Sequence, residues 1–228
     1  MNYSELLQLA KGWGNFISDR IIIWRLHHMG VLTDIPCNKV ITDKSKFVIN
    51  PAYDTVLEVQ KLYKEDTLTE FEKIDQALKM LVRNKWNLRL LNPEEKQKLL
   101  SVITKRYVEV EKRPQIKKSP FPVLDFEKDG DYIYASFMQA YKIDLIEEQG
   151  RLPWKKFLYL FNGLPADTKI KQIMRIRQMP VPEYNGKNSK EIQEINEMKS
   201  YYTLPVEGGG GQSGLDLLFH TLEGMAKR

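Results

Sequence analysis

The stretch 152–183, LPWKKFLYLFNGLPADTKIKQIMRIRQMPVPE, contains two amphipathic helix patterns with a turn between them. Pro153 suits the first turn of one helix, and Gly163 suits its C-cap. Asp167 or Thr168 can cap the start of the next helix, and two prolines prevent its continuation. Apolar side chains recur at helical spacing in both segments: Trp154, Phe157, Leu158 and Phe161, then Ile170, Ile173, Met174 and Ile176. We therefore predict two short helices that bury these side chains.

The basic residues of the chain are concentrated in the same stretch. Seven of them stand between positions 151 and 180 against a single acid, Asp167: Arg151, Lys155, Lys156, Lys169, Lys171, Arg175 and Arg177. The whole chain has a formal net charge of +5, so the other residues together are close to neutral. We predict a partner-binding surface outside the core, formed by Lys155, Lys171, Arg175 and Arg177. The alternative interpretation is that these cations form only a solvated exterior.

Upstream of this stretch the sequence predicts one β-hairpin followed by helices. KVITDKSKFVIN, at 39–50, places two short β-branched or aromatic runs around a polar turn, and it is the only clear β signal. A helix follows over 51–63, and two more begin with capping signals at Thr69 and at Asn92. In the Thr69 helix the residues expected to face inward are Phe71, Ile74, Leu78, Leu81 and Val82. The fold class we predict is mainly α, a helical domain with a short β-hairpin near its N-terminus.

The remaining segments divide the chain into three parts. We expect an N-terminal helical extension over 1–30 and the helical domain over 31–204, with a candidate sub-boundary in the proline-rich loop 113–122. Within the domain we also predict a helix over 125–141 and another in NSKEIQEINEMKSYYTL, where Asn188 and Glu191 have capping-pair spacing. The last part, 205–228, reads as a glycine-rich linker and a C-terminal amphipathic helix.

The chain contains few residues that could perform chemistry. It has three histidines and one cysteine, and His27 and His28 are adjacent, so they cannot form the i, i+4 pair that binds zinc on a helix. GGGG at 208–211 lacks the lysine and serine or threonine of a phosphate-binding loop. The longest apolar runs are far shorter than the ~20 residues of a membrane span. We expect no enzyme activity, no cofactor, no bound metal and no membrane segment.

Three segments together resemble the bacteriophage tail family known as gene product fifteen, from tailed phages of Gram-positive bacteria. They are DFEKDGDYIYASFMQAYKIDL at 125–145, the stretch quoted above from Leu152 to Pro182, and MKSYYTL at 198–204. GVLTDIPCNKVITDKSKFVINPAYDTVLEV, at 30–59, is similar to the N-terminal hairpin and helix of that family. The resemblance covers about 31–204, and its motifs are of a kind that specifies a fold rather than a reaction.

The resemblance implies a tail assembly chaperone of the host cytoplasm that binds the tape-measure protein and assists assembly of the tail tube. The major tail tube protein and further copies of the chain are additional candidate partners. Two alternatives remain open: a structural tail component retained in the virion, and a basic nucleic-acid-binding protein. The second would require exposed rings for base stacking, whereas the rings in 152–183 fall at core spacing. We therefore expect no specific nucleic-acid partner.

Overall fold

The computed structural model describes residues 38–110 and 122–204, and it is mainly helical with one antiparallel hairpin, which confirms the predicted fold class. The elements are β1 (Lys39–Ile41), β2 (Lys46–Val48), α1 (Tyr53–Lys64), α2 (Glu70–Leu81), a 3-10 helix (Lys85–Leu90), α3 (Pro93–Ile103), a π-helical turn (Thr104–Val108), α4 (Gly130–Tyr141), α5 (Trp154–Asn162), α6 (Lys169–Gln178) and α7 (Ser189–Tyr201). The expectations for 1–30, for nearly all of the loop 113–122 and for 205–228 lie outside the described residues.

The hairpin is stabilised by α2 rather than by its own short strands. Val40 lies opposite Phe47, and both side chains are buried on one face. A two-stranded hairpin is marginal alone in water, so it needs a partner surface. The end of α2 supplies it: Asn50 donates its backbone N–H to Leu81 O over 2.7 Å, and Arg83 donates to Val48 O over 2.8 Å. The hairpin therefore belongs to the same core as the helices.

One apolar cluster runs through the described part of the chain, from Val40 to Ile170. The first three helices pack in sequence order, α1 on α2 and α2 on α3. Among the later helices α5 packs on α1, α6 packs on α4 and α7 packs on α6. The core thus includes side chains from both sides of the residues 111–121.

Two of the helices begin with the capping boxes that the sequence predicts. Thr69 accepts a hydrogen bond from the Glu72 N–H, and the Glu72 carboxylate accepts from the Thr69 N–H. Asn92 and Glu95 make the same reciprocal pair at the start of α3, over 2.9 and 2.8 Å. Each box satisfies two N–H groups that a helix start would otherwise leave without partners.

Replacing Asn92 with alanine is expected to lower the free energy of unfolding by about 1 kcal/mol, because the Glu95 N–H loses its acceptor. Urea denaturation followed by circular dichroism measures this loss. Glu94→Ala is the matched control: the residue stands in the same first turn, outside the box, so its loss should stay within about 0.5 kcal/mol. Equal losses in the two variants would contradict a role for the box.

Predictions about three helix starts are wrong. Thr168 stands at the N-cap of α6 but makes no side-chain cap, and its hydroxyl donates to Pro165 O over 2.7 Å. Phe71 is 61% exposed. The buried side chain in the first turn of α2 is instead that of Lys73, whose Nζ donates to Tyr63 O over 3.4 Å. Asn188 stands at the N-cap of α7 but makes no side-chain cap with Glu191. Its amide instead accepts from the Asn185 N–H and donates to Glu183 O, so it stabilises the preceding loop.

Candidate partner-binding surface

The inward face of α5 is an aromatic stack at the centre of the core. The ring of Phe157 lies between those of Tyr53 and Phe137, at centroid distances of 4.9 and 5.2 Å. Trp154 is fully buried, and its indole N–H donates to Val108 O over 3.1 Å. The core prediction is confirmed for Trp154, Phe157, Phe161, Ile170 and Ile173. Three other side chains predicted to be buried are half-buried: Leu158, Met174 and Ile176.

The start of α5 is held against the start of α1. Trp154 donates its backbone N–H to Pro51 O over 2.7 Å, and Tyr53 donates to Leu152 O over 2.9 Å. The Tyr53 hydroxyl donates to Leu145 O, and burial, with the nearby Asp54 carboxylate, raises the pKa of Tyr53 to about 12. The outward residues of α5 therefore stand on a backbone that is fixed at its first turn.

On α6 the structure brings two of the predicted site residues together. Ile170 and Ile173 point into the core, which leaves Lys171 half-buried and Arg175, one turn further along, exposed. The Nζ of Lys171 lies 5.0 Å from the ring centroid of Phe161, and burial lowers the pKa of this lysine. Lys171 thus covers the end of the aromatic stack, with Arg175 beside it on the outer side of the helix.

Lys155 lies at the other end of α5. It is half-buried in the first turn, whereas Lys171 contacts Phe161 in the last. Lys155 and Phe161 are six residues apart, so about 9 Å of helix axis separates their positions. Lys156 and Tyr159 are exposed along the same helix. We call Lys155 on α5, together with Lys171 and Arg175 on α6, the basic surface.

Arg177 does not belong to this surface, and the expectation that it lies outside the core is wrong. It is 8% exposed and forms a bidentate pair with Asp129, which is 1% exposed, over 2.7 and 2.8 Å. Its remaining donors bind Val123 O over 3.0 Å and Tyr202 O over 2.6 Å. A planar guanidinium with five N–H donors can satisfy all these acceptors at once, which makes its burial tolerable. Arg177 joins α6 to α4 and to the end of α7.

The helical spacing could have identified this buried arginine. Arg177 follows Ile170 by seven residues and Ile173 by four, and these are the positions that share one face of a helix. The charge of Arg177 favours an exposed position, but its spacing from Ile170 and Ile173 favours a buried one. The position decides the outcome because Asp129 is present to receive the charge.

Two further lysines attach α7 to α6. Lys169 donates to the Tyr202 hydroxyl over 3.0 Å, and this hydrogen bond raises the pKa of the lysine. Lys199 donates to the backbone carbonyls of Met179 and Arg177, over 2.5 and 3.2 Å. Part of the basic excess therefore holds helices together within the chain.

The described residues, 38–110 and 122–204, contain no group of histidine, cysteine and acidic side chains arranged to hold a metal ion. Within those ranges each helix is too short or too polar to cross a bilayer.

The fold and this surface define a helical protein whose aromatic core positions cations on its exterior. The family model of the bacteriophage Gp15 protein matches residues 33–204, and the chain therefore belongs to that family. Membership assigns it to the structural or assembly-related proteins of bacteriophages. No curated protein and no solved structure matches the chain.

Proposed function

We propose that the protein is a tail assembly chaperone that binds the tape-measure protein through the basic surface while the tail tube assembles in the host cytoplasm. It acts by binding and performs no catalysis. The observation that carries the proposal is the placement of Lys171 and Arg175, side by side on a helix whose opposite face is locked by Ile170, Ile173 and Arg177. A surface of this kind loses little conformational entropy when it binds, because its backbone is already fixed.

The chemistry of the surface suits a long helical client with acidic and apolar stripes. Cations at Lys155, Lys171 and Arg175 attract carboxylates and accelerate the first encounter. Tyr159, on the exposed side of α5, adds an aromatic ring that is 37% exposed and can contact an apolar side chain. Multiple copies along the client would keep its apolar stripes from aggregating before the tube encloses them.

The burial of the rings argues against nucleic acid as the partner of this stretch. Single-strand binding uses cations interleaved with aromatic side chains on which bases stack. Here Trp154, Phe157 and Phe161 are inside the core and cannot reach a base. Tyr159 is the one partly exposed ring of 152–183, and cations beside a single ring would give only a weak, sequence-independent and salt-sensitive attraction to phosphates.

The test is co-expression with the tape-measure gene, followed by pull-down and a thermal melt. The variant combines Lys155→Glu, Lys171→Gln and Arg175→Glu; glutamine at 171 keeps an aliphatic stem over Phe161. We expect the variant to melt close to the parent and to capture the client at least about tenfold less well at low salt, which is the lower end of electrostatic steering. Arg177 is left intact because its removal would damage the fold.

A second triple variant controls for net charge alone. Lys39→Glu, Lys105→Gln and Lys187→Glu alter exposed lysines on other elements by the same total charge. It should retain capture at the level of the parent. If both triple variants capture the tape-measure protein as well as the parent does, the basic surface is only a solvated exterior and the proposal fails.

A further inference from the structure

The 3-10 helix Lys85–Leu90 holds a tryptophan outside the core. Trp86 is 73% exposed and Leu90 is 54% exposed, whereas Leu88 and Leu91 are buried. The guanidinium carbon of Arg89 lies 4.1 Å from the centroid of the Trp86 ring. We call Lys85, Trp86, Arg89 and Leu90 the tryptophan knob.

The knob stands on a fixed support. Asn84 accepts a hydrogen bond from the Val48 N–H over 2.8 Å and donates to Lys46 O over 2.6 Å. Asn87 donates to the same carbonyl over 3.1 Å, so two amides attach the 3-10 helix to β2. Since its backbone is anchored, the knob has little ordering entropy to lose on association. Tryptophan and arginine are also the residue types that dominate binding energy at protein interfaces.

The surroundings of the knob are basic. Between Asp75 and Glu94 the chain has four cations and no acid: Lys79, Arg83, Lys85 and Arg89. Lys79 pairs with Asp75, and Arg83 donates to Asn50 Oδ1 and Gly150 O. Lys85 and Arg89 are the two exposed cations that belong to the knob itself. Its partner should therefore combine apolar surface with carboxylates.

A surface with that chemistry exists on the other half of the chain. The exposed side of α7 and the loop before it form an open groove of about 580 Å³, lined among others by Tyr184, Ile192, Asn196 and Glu197. The α7 helix buries only Ile195, so among residues 38–110 and 122–204 nothing covers this side. The segment 183–197 is acidic in sequence, with four glutamates and two lysines: Glu183, Glu191, Glu194 and Glu197, and Lys187 and Lys190.

We propose that the tryptophan knob of one copy docks in the α7 groove of a second copy of this chain. The indole ring packs against Ile192 and Tyr184, its N–H donates to the Glu197 carboxylate or to the Asn196 side chain, and Arg89 approaches Glu197. A buried indole N–H needs such an acceptor. The proposal goes beyond the chaperone function and uses neither Lys171 nor Arg175, so the two can fail separately.

The contact joins two different patches, and in the proposed arrangement it is heterologous, so that any two copies share one contact. Each pair of copies retains one free knob and one free groove, so association continues past the dimer into a ring or an open chain. A dimer related by a two-fold axis would instead make the contact twice, with the knob of each copy in the groove of the other, and would leave neither patch free. The experiment therefore asks whether association stops at the dimer or continues to larger species.

The experiment measures the mass of the purified full chain by light scattering and sedimentation over a range of concentrations. We expect the parent to form species larger than a dimer. Trp86→Ala and Ile192→Arg should each weaken association at least about 30-fold, the effect of a 2 kcal/mol interface residue. Two controls should associate like the parent: Phe71→Ala and Tyr201→Ala remove exposed rings outside the knob and outside the groove residues.

An equimolar mixture of the two variants decides the geometry. Trp86→Ala keeps an intact groove and Ile192→Arg keeps an intact knob, so together they should form a dimer and nothing larger. Glu197→Arg, at an exposed position, replaces the groove variant if Ile192→Arg does not fold. A parent that stays monomeric, or a dimer formed by Ile192→Arg alone, would overturn the proposal. Association that persists in Trp86→Ala would also overturn it, by assigning the interface to another surface.

Discussion

Arg177→Ala is expected to lower the free energy of unfolding by about 3–5 kcal/mol, because it leaves the Asp129 carboxylate buried without its counter-charge. The carbonyls of Val123 and Tyr202 lose their donor in the same variant. For a domain of this size such a loss is a large fraction of the total stability. Urea denaturation followed by circular dichroism measures it.

Arg175→Ala is the matched control. It removes the same side chain two residues earlier on α6, at an exposed position, and should change stability by less than about 0.5 kcal/mol. A double variant, Arg177→Met with Asp129→Leu, should recover part of the loss, because it removes both charges instead of isolating one. If Arg177→Ala were no less stable than Arg175→Ala, the buried pair would have no role in holding α6.

Trp154→Ala is expected to lower the free energy of unfolding by about 3–5 kcal/mol, the range for removing a large aromatic side chain from a core. The indole contacts Phe126 and Phe157 and donates to Val108 O, so its loss opens a cavity and leaves a carbonyl without its donor. Aggregation during purification is the expected practical sign. Circular dichroism is the suitable probe, because the substitution changes the tryptophan fluorescence itself.

The molecule contains its own control for this substitution. Trp86→Ala removes the same side chain from a position that is 73% exposed, and it should change stability by no more than about 0.5 kcal/mol. The loss in Trp154→Ala has two contributions, the cavity and the missing hydrogen bond to Val108 O. Trp154→Phe helps to separate them, since it keeps an aromatic ring and removes only the indole donor and part of the volume. Equal losses for Trp154→Ala and Trp86→Ala would contradict the central place of α5 in the core.

Much of the fold is predictable because its signals are local. The capping boxes at Thr69 and Asn92 involve residues three positions apart, and proline and glycine mark the ends of α5. The hairpin likewise combines two short apolar runs with a polar turn. Such features need no knowledge of what packs on them.

The error at Arg177 arises because the outcome depends on a distant partner. Arg177 is buried because Asp129, 48 positions earlier in the chain, accepts its charge, and no pattern on α6 reveals that acid. The exposure of Trp86 is a separate feature that no sequence pattern above predicts: tryptophan is highly buried on average, but here it stands on a 3-10 helix attached to β2 through Asn84 and Asn87. Of the four predicted site residues, Lys155, Lys171 and Arg175 remain candidates for partner binding.

The junction between Ala52 and Pro153 has a consequence for synthesis. These residues are bridged although about 100 positions separate them in the chain, so the first turns of α1 and α5 can be fixed only together. Closing so long a loop slows folding more than it reduces final stability. While the ribosome is still translating, α1 can pack on α2 early, but the part of α1 that packs on α5 stays uncovered by it until α5 has emerged. Completion of the core is therefore a late event, and a transcript that ends before α5 yields a chain with exposed hydrophobic surface.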